Sequence, residues 1–303
     1  MDLKIVKFVQ SGATPFLDEF FSMFTRFGEE IFFVCMFLIL YWCVSYNYAF
    51  KFGLYYVASV LFNNIAKMIV KRPRPWMASE DVVNKLPASG LSFPSGHSQG
   101  ISCISTFIVY DIYHTDTKKS YKIVSLVTAI VLCLIVGYSR LYLGQHYLTD
   151  VIAGFAFGIG IILLLKAIEK ALPTSFKQSI NTEVIVSTIS IVLILIITIL
   201  QFKNFGLSYS AINKLYRYSG LFVSASVGYI LSKRLVKDIQ LDFYLKLIKM
   251  AIGLIVTFGL YALLNLLIVP NFVNFLIVLF VGIIATFVYP YIFNLVVLKI
   301  RKE

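Results

Sequence analysis

The chain has 303 residues, of which 59% are hydrophobic and only 14% charged, and its formal charge is +12. Soluble domains carry about 25% charged residues, so this composition excludes an ordinary soluble domain and indicates an integral membrane protein. The positive balance does not point to nucleic acid. The cations sit in short loops between apolar runs, as they do at the flanks of membrane helices.

Residues 3–27 alternate apolar and polar positions around Pro15. Phe16, Leu17, Phe20, Phe21 and Phe24 fit one helical face, and Asp18, Glu19 and Arg26 fit the other. The pattern predicts an interfacial helix within 1–30, not a span. The segment lacks a continuous apolar core and a small-residue cleavage site, so a cleaved signal peptide is not expected.

Spans are predicted at 31–47, 49–70, 98–113, 122–138 and 147–168, each near the ~20 residues a bilayer needs. The loop 71–96 holds Pro73, Pro75, Pro87 and Pro94. Such a loop must lie outside the hydrocarbon or be buried in protein. After Pro173 come further predicted spans at 184–202, 218–232, 247–269 and 273–298, a region without His or Cys. This region leaves packing, lipid access and a homo-oligomer contact open. Cys35, Cys43, Cys103 and Cys133 lie in apolar runs without metal-ligand spacing and read as free thiols. The expected architecture is an all-α, polytopic membrane bundle. Its segments are an N-terminal interfacial helix (1–30), a core of about five spans (31–172) and about four extra spans (173–303).

Three polar clusters interrupt this chain. The first is Lys67, six residues, then Arg74-Pro75; the second is Pro94-Ser95-Gly96-His97. The third is Ser139-Arg140, five residues, then His146, three residues, then Asp150. Counting crossings puts the 71–96 loop and the 139–146 loop on one side of the membrane, so all three clusters share a surface. His146 and Asp150, four apart, suit one helical face, with Asp150 orienting one ring nitrogen and leaving the other free to attack phosphorus. Arg140 suits bidentate binding of phosphate oxygens. Gly96 and the start of the following helix suit anion binding, with His97 in the first turn. Plainer readings stand beside these. Ser95 is an N-cap, which does not compete. Lys67, Lys71, Arg72 and Arg74 taken alone are snorkelling interfacial cations. Trp76 is an interface anchor, His114 is solvated, and Glu29 and Glu30 cap a helix.

In order and spacing the clusters resemble the signature of the type 2 phosphatidic acid phosphatase family, related to vanadium haloperoxidases and bacterial acid phosphatases. Every fixed position of Lys-x6-Arg-Pro, Pro-Ser-Gly-His and Ser-Arg-x5-His-x3-Asp is present. The resemblance covers 67–150 by motif and 31–168 by span layout, and not the C-terminal spans. It implies a phosphatase core that hydrolyses a phosphate monoester or diphosphate without a metal or other cofactor. His146 is then the nucleophile, forming a phosphohistidine; Asp150 orients it, and His97 protonates the leaving oxygen. Lys67, Arg74, Ser95, Gly96 and Arg140 hold the phosphate. Membrane embedding implies a lipid substrate such as phosphatidic acid or a prenyl diphosphate. A lipid transporter or flippase, and a phosphotransferase on the same core, are the competing expectations. Once Lys67, Arg74 and Arg140 are set aside, Lys and Arg are richer on the side opposite the clusters. That predicts a multi-pass cell-membrane protein whose site faces outward.

Overall fold

The computed structural model describes residues 2–87, 90–173, 209–266 and 271–301, and no strand occurs among them. The expected span at 184–202 lies outside the described residues. Among the described residues, five helical segments are long and apolar enough to cross a membrane: Tyr46–Ala78, Lys119–Tyr142, Leu148–Ala171, Phe243–Asn265 and Phe272–Ile300. The protein is an all-helical, multi-pass membrane protein. It divides into two compact units, Met1–Val34 with Phe52–Ala171, and Cys35–Lys51 with Leu172–Glu303. The N-terminal residues thus fold with the clusters, and 35–51 pack with the C-terminal region.

The first unit begins with two helices rather than the single interfacial helix expected: α1 (Asp2–Ser11) and α2 (Pro15–Phe24). Proline disfavours helical backbone at the residue before it, and Thr14 is extended at φ −135°, ψ 155°. Thr14 caps α2 by accepting from the Leu17 N–H at 3.3 Å, and Pro15 occupies the first turn, where its missing donor is harmless. A 3₁₀ turn, Thr25–Gly28, leads to α3 (Glu30–Cys43). At 14 residues, α3 is shorter than the ~20 expected of a span.

Helix α4 (Tyr46–Val70) and the short α5 (Pro75–Ala78) precede the loop that enters α6 (Gly96–Tyr113). The hairpin partner α7 (Lys119–Tyr142) and α8 (Leu148–Ala171) complete the unit. Helix α6 is not among the strongly apolar segments, because it carries polar residues inward: Ser98, Gln99 and Ser102 are all buried. Gln99 accepts from Asn63 Nδ2 at 2.7 Å and donates to the Ser59 carbonyl at 2.7 Å, tying α6 to α4. Such bonds between membrane helices contribute about 0.6 kcal/mol each. On its other side α6 meets α8 at glycines. A Cβ on Gly158 would lie 2.1 Å from Ser102 Oγ, and one on Gly154 2.7 Å from the Ser95 carbonyl. Small residues let the two backbones approach closely, and dispersion then stabilises the crossing. This crossing sets α6, with His97 in its first turn, against the start of α8, with Asp150.

The second unit joins α9 (Tyr209–Leu235), α10 (Phe243–Asn265), α11 (Asn271–Ile283) and α12 (Tyr289–Ile300) with residues 35–51. Trp42 Nε1 donates to the Ala285 carbonyl at 2.8 Å, and Phe50 stacks on Tyr229 at 4.4 Å. A π-helical turn, Ile284–Val288, joins α11 to α12, so the predicted span 273–298 is one interrupted helix. The turn directly precedes the first residues of α12, where Pro290 lacks a donor.

Candidate functional site

All three clusters meet at one end of the first unit. The reason is local in each case. Helix α4 ends just after Lys67, and the Arg74-Pro75 pair starts α5 with Arg74 as its extended N-cap residue. Ser95 caps α6, its hydroxyl accepting from the Ser98 N–H at 3.3 Å. Arg140 lies in the last turn of α7. His146 does not open α8, as the helical spacing suggested. It sits in the 143–147 connection, and Asp150 lies in the first turn of the helix that follows. The connection needs Gly144, whose φ is +72° and where a Cβ would lie 2.4 Å from the Val83 carbonyl.

His146 is buried and placed between a cation and a carboxylate. Arg74 Nη1 stands 3.4 Å from Nε2, while Nδ1 faces Asp150 Oδ2 at 3.5 Å and Ser92 Oγ at 3.4 Å. A guanidinium can only donate, so the partners assign the proton to Nδ1 and the lone pair to Nε2. Burial holds the imidazole well below its usual range, with the Asp150 hydrogen bond pulling the other way. The partners and the burial both favour a ring whose Nε2 keeps a free lone pair.

Asp150 is fully engaged. Its Oδ2 accepts from the Ser92 hydroxyl and from the Tyr147 N–H at 3.0 Å, and its Oδ1 accepts from Arg72 Nη1 at 2.7 Å. Its carbonyl accepts from the Ser95 N–H at 3.0 Å, which pins the start of α6 to the start of α8. Ser95 thus has both its hydroxyl and its N–H committed to positioning α6. Gly96 is the first residue of α6, and a Cβ there would meet nothing closer than Asn63 Oδ1 at 3.7 Å.

Three cations converge here, held largely by backbone carbonyls and a hydroxyl. Lys67 Nζ donates to the Leu91 and Pro94 carbonyls at 3.0 and 2.7 Å. Arg74 is buried and donates to the Gly90 carbonyl at 3.0 Å and the Gln145 carbonyl at 3.1 Å. Arg140 is buried, donates to Thr25 Oγ1 at 2.6 Å, and leaves its Nε–H without a partner, with Glu29 in electrostatic reach. A buried unpaired guanidinium N–H costs about 1–3 kcal/mol or more, and an anion would relieve it. His97 is half-buried, within electrostatic reach of Arg140, His146, Arg74 and Lys67. Trp76 packs beside the Val6, Val82 and Leu141 cluster, and His114 is exposed and stacks on Tyr110 at 4.0 Å, far from this end.

Several residues at the site carry no sequence signal of their own. Ser92 and Thr25 are ordinary hydroxyl residues in sequence and fully buried in the structure. Gly28 packs directly on His97: a Cβ there would lie 2.6 Å from His97 Cβ. Gln145 donates to Asn84 Oδ1 at 2.6 Å and to the Leu86 carbonyl at 2.8 Å, folding the loop over Arg74. Arg72 stands out by its charge but not by its spacing.

Comparison with known proteins gives the family. Residues 48–173 match the PAP2 superfamily model, and 216–301 match the PAP2 superfamily phosphatase transmembrane extension. The chain is 34% identical over 119 residues to phosphatidylglycerophosphatase B of Bacillus subtilis (strain 168), covering 39% of this chain and 56% of that one. It is 34% identical over 100 residues to the dolichyldiphosphatase of Saccharomyces cerevisiae, covering 32% and 42%. It is also similar to the crystal structure of the first transmembrane PAP2 type phosphatidylglycerolphosphate phosphatase from Bacillus subtilis. There the TM-score is 0.50 at 27% identity, over 57% of this chain and 86% of the other. The chain spans about half the length of the curated relatives it matches. With the core model over the three clusters and the extension model over the C-terminal helices, the chain belongs to the PAP2 superfamily.

Proposed function

We propose that the protein is a membrane phosphatase that hydrolyses the phosphate monoester or diphosphate of a lipid through a phosphohistidine on His146, without a metal ion. One observation carries this reading: Lys67, Arg74 and Arg140 converge on a neutral, buried His146, while Asp150 is already saturated by other donors. Such a charge excess suits a phosphate dianion and the charge that builds on its oxygens in the transition state. It also disfavours a bound divalent cation, which three neighbouring positive charges would repel.

In this mechanism His146 Nε2 attacks phosphorus and the bond to the lipid oxygen breaks. His97 gives that oxygen a proton. Asp150, with Ser92, keeps the Nδ1 proton in place and stabilises the positive charge left on the ring. Neutral His97 then takes a proton from water, which attacks the phosphohistidine, releases phosphate and regenerates His146. Lys67, Arg74, Arg140 and the Gly96 N–H bind the phosphate oxygens, and Ser95 fixes the helix start that presents Gly96.

The embedding in membrane helices supports a lipid alcohol as leaving group. The names of the relatives, which include phosphatidylglycerol phosphate and dolichyl diphosphate phosphatases, support the same class. The distribution of Lys and Arg supports a site facing away from the cytoplasm in the cell membrane. The test is phosphate release from a panel of lipid phosphates and diphosphates by the purified protein in detergent, with His146→Ala as control. Release from at least one lipid, lost in the variant, is expected. Wild-type turnover by His146→Ala would overturn the mechanism.

A further inference from the structure

Arg72 falls between Lys67 and Arg74, outside the fixed positions of the cluster, yet it reaches the reacting histidine by two routes. Its Nη1 donates to Asp150 Oδ1 at 2.7 Å. Its backbone carbonyl accepts from the Ser92 N–H at 2.8 Å, and the Ser92 hydroxyl bridges Asp150 Oδ2 and His146 Nδ1. One residue therefore constrains both oxygens of the carboxylate that orients His146. Arg72 is itself held on three sides. Its Nη2 donates to Asp2 Oδ2 at 3.0 Å, its Nη1 also reaches Thr149 Oγ1 at 2.7 Å, and its guanidinium lies 3.8 Å from the centre of the Tyr147 ring. Thr149 in turn donates to Asp2, so Asp2, Thr149 and Arg72 close a ring beside Asp150.

Charge explains why Asp2 belongs there. Arg72 alone would neutralise Asp150 and weaken its hold on the positive charge that His146 acquires. With Asp2 on the other arm of the fork, Arg72 is balanced and Asp150 keeps its charge for the histidine. Asp2 is delivered by α1, which docks through Val6 against Val82, Leu141, Tyr147 and Val151, through Gln10 to the Val83 and Tyr142 carbonyls at 2.8 and 2.9 Å, and through the Lys7–Asp81 pair.

We infer that Arg72, clamped by Asp2 of the N-terminal helix, is a positioning residue for Asp150 and through it for His146. The inference rests on the phosphatase reading above. Arg72 points at Asp150 and not at the phosphate-binding cations, so its loss falls on turnover and not on substrate affinity. Misplacing a reacting group by about 1 Å costs up to about 10²-fold in rate.

The experiment measures kcat and KM for phosphate release by the full-length protein in detergent, for wild type, Arg72→Ala, Arg72→Lys, Asp2→Asn and His146→Ala. Arg72→Ala should lose about 10- to 100-fold in kcat with KM within about threefold. Because the Arg72 side chain is 28% exposed, guanidinium ion in the assay should restore part of that loss, and sodium at equal ionic strength should not. Arg72→Lys should retain more turnover than Arg72→Ala. Asp2→Asn, which removes no core contact, should lower kcat several-fold with KM unchanged and should be insensitive to guanidinium. If Arg72→Ala fails to fold, the Asp2→Asn result decides. An unchanged kcat in Asp2→Asn, or an Arg72→Ala loss confined to KM or indifferent to guanidinium, would overturn the inference while active wild type and inactive His146→Ala preserve the phosphatase reading. Absence of release by wild type, or undiminished release by His146→Ala, would overturn that reading and this inference with it.

Discussion

The Gly28→Ala substitution removes nothing and adds one methyl group, and it should still disable the site. The new Cβ would lie 2.6 Å from His97 Cβ and 2.9 Å from His97 Cα. Ordinary carbon contacts are about 3.5–4.0 Å, so one of the two segments must move by roughly 1 Å. Neither moves freely. Gly28 ends a 3₁₀ turn whose Thr25 is bonded to Arg140, and His97 is in the first turn of α6, which is pinned to α8 through Ser95 and Asp150. Overpacking of this kind costs about 1–3 kcal/mol of stability. If His97 is the proton donor, a shift of this size costs about 10²-fold in turnover. The assay is phosphate release at saturating lipid, with thermal unfolding in detergent measured alongside. Gly12→Ala is the matched control, because a Cβ there would meet nothing within 4 Å. A Gly28→Ala protein with wild-type kcat and an unshifted unfolding midpoint would refute both the packing argument and the placement of His97.

Four further outcomes are expected. Asp150→Asn should fold but lose at least about 10²-fold in kcat, because the amide cannot stabilise the charged ring of His146; a loss under threefold would contradict its role. Because burial holds the His146 imidazole below its usual range, the ring keeps its lone pair at pH values where an ordinary histidine, titrating near ~6.5, would be protonated; kcat/KM should therefore show no His146-dependent loss as pH falls through ~6.5, and such a loss would contradict a neutral, buried nucleophile. Vanadate, which takes the five-coordinate geometry of phosphoryl transfer, should inhibit and EDTA should not; activity lost in EDTA and restored by a divalent ion would contradict metal-independence. In a background lacking the four native cysteines, Glu80→Cys should react with an impermeant thiol reagent in intact cells and Lys119→Cys should not, both positions being exposed; the reverse pattern would place the site in the cytoplasm.

Much of the site was legible in the sequence because its chemistry depends on residue types at fixed spacings. Charged and proline-rich stretches between apolar runs mark where helices end at a membrane surface, and crossing parity alone put all three clusters on one side. Ser95 as the cap of α6 followed from its place before an apolar run, and the structure bears it out. The break at Thr14-Pro15 was present in the sequence as well, but a continuous amphipathic pattern across it suggested one helix where there are two.

Tertiary structure decided what spacing cannot express. The distance of four between His146 and Asp150 suggested a shared helical face, yet His146 lies in the connection, and the turn at Gly144 and Gln145 brings it to Asp150. Arg72, Ser92, Thr25 and Gly28 become part of the site only because α1, the 3₁₀ turn and the 71–96 loop fold onto the ends of α7 and α8. Hydroxyls, glycines and surplus cations are common in any membrane protein, and no local pattern separates those that meet a catalytic group from those that do not. Composition and motif order determined the class of protein and named the candidate site residues; long-range contacts, formed between segments more than a hundred residues apart in places such as Thr25 and Arg140, determined which neighbours hold them in position.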